Sequence, residues 1–131
     1  MHVRKDQIPA RIDVPGAIAR HRADFGDASP YGEMGGEYFS LSAGTDVAPL
    51  LKGLEGDACQ APHWGYVIAG ELVVTYTDGY GPERCSAGDC FYWPAGHSVR
   101  VVEDAEVILF SPHHAHAAVI DHMKGVLASM A

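Results

Sequence analysis

Positive charge is scarce in this chain. Only 9 Lys and Arg stand against 17 Asp and Glu, a formal net charge of −8, and the basic residues are scattered rather than striped along one face. Such a surface offers no footprint for a polyanion, so no nucleic-acid partner is expected. Long apolar runs are also lacking. None approaches the roughly 20 residues that span a bilayer, and no membrane partner is expected. The charges of Met1-His2-Val3-Arg4-Lys5-Asp6 are followed by no apolar segment of the secretory kind, which predicts a cytoplasmic protein. Cysteine is sparse: Cys59, Cys85 and Cys90 are odd in number and form no CxxC pair. That argues against a disulfide framework and against a local redox or zinc motif. A phosphate-cradling glycine loop, HExxH, GxSxG and internal repeats are likewise missing.

What is there is a succession of short strand patterns. The 131 residues suit one domain, 1–131, with a core of useful size. Before residue 36 the pattern is mixed: Ile8, Ile12 and Val14 alternate toward Pro15, and residues 17–22 predict a turn or two of helix after that proline. Residues 26–36, rich in Gly, Asp, Ser and Pro, predict a loop. Strands are predicted at 37–42, at 63–77 as two strands hinged near Gly70, at 91–93, at 98–102 and at 106–110. Many short strands with Gly- and Pro-bearing turns indicate an all-β sandwich or barrel. The tail changes period. Val119, Ile120, Met123, Val126, Leu127 and Met130 fall at helical spacings after Ser111 as N-cap and Pro112 in first position, which predicts a helix over 112–129.

Two segments carry a resemblance. Asp57-Ala58-Cys59-Gln60-Ala61-Pro62-His63-Trp64-Gly65-Tyr66-Val67-Ile68-Ala69-Gly70 and Gly88-Asp89-Cys90-Phe91-Tyr92-Trp93-Pro94-Ala95-Gly96-His97 resemble the paired motifs of the cupin family. The likeness covers about residues 36–111 and implies an all-β, cupin-type jelly-roll barrel there, with an N-terminal extension and a C-terminal helix in 112–131. The Pro-His-Trp-Gly-Tyr segment is similar to one found in small bacterial cupins of uncharacterised role. In metal-binding cupins these motifs supply three His and one Glu to an ion inside the barrel. The matching positions here hold Asp57, Cys59, His63 and Val99.

Carboxylate, thiolate and imidazole suit zinc or iron better than magnesium or calcium. His97 shares a strand face with Val99, displaced by roughly 6.6 Å along the chain, and can supply the missing corner. Cys59, His63 and His97 are therefore the candidate metal ligands, with Asp57 the weakest, because it follows Gly56 in a segment that reads as exposed loop. Beside this stands a metal-free reading: Cys59 a small buried hydrophobe, His63 bonded in a polar pocket, Asp57 capping a turn. The altered ligand set favours it.

Parity sketches the pocket. If His63 points inward, so do Gly65 and Val67, whose small side chains leave room for a ligand, while Trp64, Tyr66 and Ile68 face outward. His97, Val99 and Tyr38 complete the expected lining. No Lys or Arg is aimed there, so an anionic ligand needs a metal or protonated His63 and His97. The run His113-His114-Ala115-His116 reads as a solvated helix end, and His122 as another surface position. A Cys59 nucleophile has no local sequence feature behind it. The reading is a small-molecule-binding protein of unassigned role, metal-free or weakly metal-binding. The alternatives are a metal-dependent dioxygenase, isomerase or decarboxylase using Cys59, His63 and His97, and a structural homo-oligomer. The outward Trp64, Tyr66 and Ile68 stripe predicts a homodimer.

Overall fold

The computed structural model describes residues 1–26, 28 and 32–130. The chain opens with a hairpin of β1 (Ala10–Val14) and β2 (Ala17–Arg22), in which Val14 pairs with Ala17 across Pro15-Gly16. This corrects the helix expected at 17–22. Gly16, at φ +84°, closes the tight turn, and β2 then pairs along its whole length with β3 (Met34–Leu41). Ladder pairing overrides the weak helical preference of an Ala-containing segment. The loop expected over 26–36 falls partly outside the described residues, and its last three residues belong to β3.

Two long strands dominate the barrel. β4 (His63–Tyr76) and β7 (His97–Pro112) run antiparallel along nearly their full length, from Trp64 against Phe110 to Tyr76 against His97. β3 pairs with the outer side of β7, while β5 (Glu83–Ser86) and β6 (Cys90–Trp93) pair with β4. Each of the two strand pairs expected from the sequence is therefore one continuous strand, bent where register slips between Val67 and Leu72. The expected hinge residue sits at that bend. Gly70 has φ +83°, and a Cβ there would stand 2.1 Å from the Asp104 carbonyl oxygen. Only glycine permits this approach.

The inner faces of β4 and β7 pack Val67, Leu72, Val74, Val101, Val107 and Leu109 into one core. Burial of each such side chain stabilises the fold by about 1.5–3 kcal/mol. A second cluster joins Leu51 of α1 (Ala48–Leu51), Cys59, Ala61 and Val119 of α2 (His113–Ser129). α2 lies against α1, β7 and β1 through Val119 and Ile120, whereas Met130 is exposed, so the apolar stripe ends before it. Its start also differs from expectation. Ser111 is not an N-cap but the buried penultimate residue of β7, paired with Gly35. Among the described residues no helix is long and apolar enough to cross a membrane.

Candidate metal centre in the barrel cavity

Three segments bring the candidate donors together. His63 opens β4 and His97 opens β7. Cys59 lies outside both strands, but its backbone pairs with the start of β7: Cys59 N–H donates to the His97 carbonyl at 2.8 Å and Gly96 N–H donates to the Cys59 carbonyl at 2.7 Å. This bridge sets Cys59 opposite His97. One donor atom from each of Cys59, His63 and His97 lies within 4.8 Å of the others, and all three residues are buried. The His63 and His97 ring centroids are 4.9 Å apart.

Hydrogen-bond accounting determines which nitrogen each ring offers. His97 Nδ1 lies 2.7 Å from the Pro94 carbonyl oxygen, which can only accept, so Nδ1 carries the proton and Nε2 is bare. The Ser111 hydroxyl donates to Glu37 Oε1 at 2.5 Å and thereby spends its one proton. It must accept from His63 Nδ1, 2.6 Å away, which leaves His63 Nε2 bare as well. That nitrogen lies 3.6 Å from Cys59 Sγ. Zinc bonds of about 2.3 Å to sulfur and 2.1 Å to nitrogen, at a tetrahedral angle, separate the two atoms by about 3.6 Å. The donor set thus fits a zinc- or iron-sized ion, and each imidazole is held by its other nitrogen, as metal-ligating histidines are.

Glu37, Ser111 and His116 are the residues that sequence reasoning missed. The Glu37 carboxylate is wholly buried and accepts from Ser111 on one oxygen while His116 Nδ1 contacts the other. The His116 ring lies 4.2 Å from that of His63. This corrects the solvated helix end: His116 is buried, while His114 is exposed beside Glu33 and the His113 side chain lies outside the described part. The signal was present in the sequence. His116 precedes Val119, Ile120 and Met123 by three, four and seven residues, the spacing of one helix face. His122, at the helix surface, bonds to the Lys52 carbonyl.

A cavity of ≈ 60 Å³ opens onto this centre, lined by His63, His97, Cys59 and Val99 and otherwise mainly by apolar side chains. Val99 occupies the fourth expected ligand position and offers no donor. Three other expectations are corrected. Tyr38 points to the opposite face of β3, where its hydroxyl donates to Glu106. At Gly65 a Cβ would lie 2.5 Å from the Phe91 ring, so its smallness admits Phe91 and the β7 backbone rather than a ligand. Val67 belongs to the packed core instead of the cavity wall. Asp57 accepts from Gly53 N–H at 2.9 Å in an exposed turn and does not join the Cys59, His63 and His97 donors.

Without an ion the three donor side chains are neutral near neutral pH. Burial holds the His63 imidazole well below its usual range, with His116 and His97 adding to the effect. Burial also lowers His97 to about 4, against the bond to the Pro94 carbonyl, which favours the proton. The Cys59 thiol is pushed up to about 12 by burial, offset in part by a backbone hydrogen bond at Ala61 and raised further by Glu37. A thiol so placed is a poor free nucleophile. Protonated imidazoles do not balance an anion here at neutral pH; a metal would.

Solved structures share the architecture. An ectoine synthase from P. lautus superposes with a TM-score of 0.59 at 13% identity, covering 86% of this chain and 77% of the other. An RmlC-like cupin from Shewanella frigidimarina gives 0.55 at 19% identity, covering 84% and 88%. A mutant of Bacillus subtilis oxalate decarboxylase gives 0.57 at 21% identity, covering 82% of this chain, which spans only 28% of that longer protein. No protein-family model and no curated protein sequence matches the chain. With its bent β4–β7 pair, interior histidines and these structural relatives, the chain has the cupin fold.

Proposed function

We propose that this protein binds a small, largely apolar molecule at a single zinc or iron ion held by Cys59, His63 and His97 in the barrel cavity. One observation carries the reading: two bare imidazole nitrogens and a thiol converge at the wall of an apolar cavity, with each imidazole held from behind. Bound there, the metal supplies Lewis acidity to a donor atom of the ligand. The chain does the rest. Ser111 and Glu37 orient His63, the Pro94 carbonyl orients His97, and the apolar wall excludes water. Val99, in place of a fourth protein donor, leaves a coordination position to the ligand, as in catalytic rather than structural sites. A reducing compartment such as the cytoplasm keeps Cys59 available.

Elemental analysis of protein purified without a histidine tag tests this. About one equivalent of zinc or iron, lost in Cys59→Ser, is the expected result. A metal content near zero after incubation with zinc, iron(II) and cobalt would leave the metal-free binding module, which the Cys59 bond to the Ala61 carbonyl favours.

The exposed Trp64, Tyr66, Ile68 and Tyr92 on one outer face support a homodimer in our reading, since this much contiguous aromatic surface is usually covered. Sedimentation of wild type and Trp64→Glu tests it: a monomeric wild type at micromolar concentration excludes a stable dimer.

A further inference from the structure

The apolar space continues past the metal-site cavity. A second cavity, ≈ 80 Å³, lies between α2, α1 and the β1–β2 hairpin, with Ile12, Ala19, Leu50 and Leu127 among its walls. Phe39, Leu41, Val47, His116 and Met123 line both cavities, so a single layer of side chains separates them. Among the described residues, no Lys, Arg, Asp or Glu lines either one. Four of the dividing side chains, Phe39, Leu41, Val47 and Met123, are only partly buried, and Met123 is unbranched and yields easily to a neighbour.

We propose that the two cavities form one bipartite site for a small amphiphile, a molecule with a single neutral or monoanionic donor head and a straight hydrocarbon tail. The head completes the coordination of the ion at Cys59, His63 and His97. The tail passes between Phe39 and Met123 into the space beneath α2. This rests on the metal reading for the head alone. A second charge on the ligand would be desolvated against apolar walls with no counter-charge, which excludes dicarboxylates and phosphates. Each methylene moved from water into the second cavity strengthens binding by about fourfold.

The test is calorimetric titration of cobalt-loaded and metal-free protein with n-alkyl hydroxamates, from acetyl to octanoyl. In the loaded protein, affinity is expected to rise by about fourfold per methylene until the tail space is filled. In the metal-free protein the same slope persists at lower affinity. Ala19→Phe, which fills the second cavity from β2, should flatten the slope for long chains and leave acetohydroxamate within about twofold. Ala17→Phe serves the same purpose if that variant does not fold. A flat chain-length profile, or a slope indifferent to both substitutions, overturns the bipartite site. Equal affinities with and without cobalt, together with the slope, would instead remove the metal-bound head and retain the tail site.

Discussion

His63 is tied to Glu37 through one hydroxyl: Ser111 Oγ accepts from His63 Nδ1 at 2.6 Å and donates to Glu37 Oε1 at 2.5 Å. The direction of that chain leaves His63 Nε2 bare toward Cys59. Breaking it at Ser111 frees the ring to rotate or change tautomer without removing a ligand. Ser111→Ala is therefore expected to retain the fold and to weaken zinc affinity by about 10- to 100-fold, measured by competition with a chromophoric chelator. Unchanged affinity would mean that His63 is not a ligand or needs no such support.

Removing Cys59 acts directly. Cys59→Ser changes volume little but replaces a thiolate donor, and zinc affinity should fall by roughly 100-fold or more. In the cobalt form the near-ultraviolet thiolate-to-metal charge-transfer band should vanish. A band that survives the substitution would place the sulfur elsewhere.

The pH dependence has a definite slope. The imidazoles are already unprotonated well below neutrality, while the Cys59 thiol, at about 12, must lose its proton to bind. Each metal should displace one proton, so affinity rises by about tenfold per pH unit between about pH 6 and 9. Calorimetry in buffers of different ionisation enthalpy counts the protons. Two or three released at pH 7 would contradict the neutral-imidazole arrangement.

The metal-free protein should lose stability in mild acid. His97 is lowered from 6.5 to about 4 in the folded state, so between those values the unfolded chain binds more protons and stability falls as pH falls. That one group accounts for about 3 kcal/mol, fully present above pH 6.5 and lost by about pH 4. His63, shifted in the same direction, adds to it. Denaturant midpoints from pH 7.5 to 4 measure the decline, and His97→Gln should make it shallower.

The C-terminal helix now carries two expectations. Ile120→Asp places an unpaired charge in a fully buried position and should cost several kcal/mol. His116→Ala should cost about 3–5 kcal/mol, because it strips the buried Glu37 of its partner. His114→Gln, on the exposed start of the same helix, should be near neutral. Thermal unfolding of the three variants separates these outcomes.

Much of this was legible along the chain. The paired glycine-bearing motifs placed the barrel, His63 and the bend at Gly70, because a turn or a close backbone approach demands a particular residue at a particular spacing. The period of the tail foretold α2. Local pattern could not settle 17–22, where pairing with β3 turned an expected helix into a strand. Nor could it show that Cys59, outside the strands, lies across a backbone bridge from His97, or that Glu37, Ser111 and His116 meet behind His63. Glu37 precedes Ser111 by 74 residues, and Ser111 and His116 stand on either side of the junction between β7 and α2. A polar residue's spacing says which face it shares, but only packing of β3, β7 and α2 decides that the face is buried. Once buried, its hydrogen bonds must be satisfied by whatever the fold brings beside it. Composition and motif determined the scaffold, and long-range packing decided which side chains became the site.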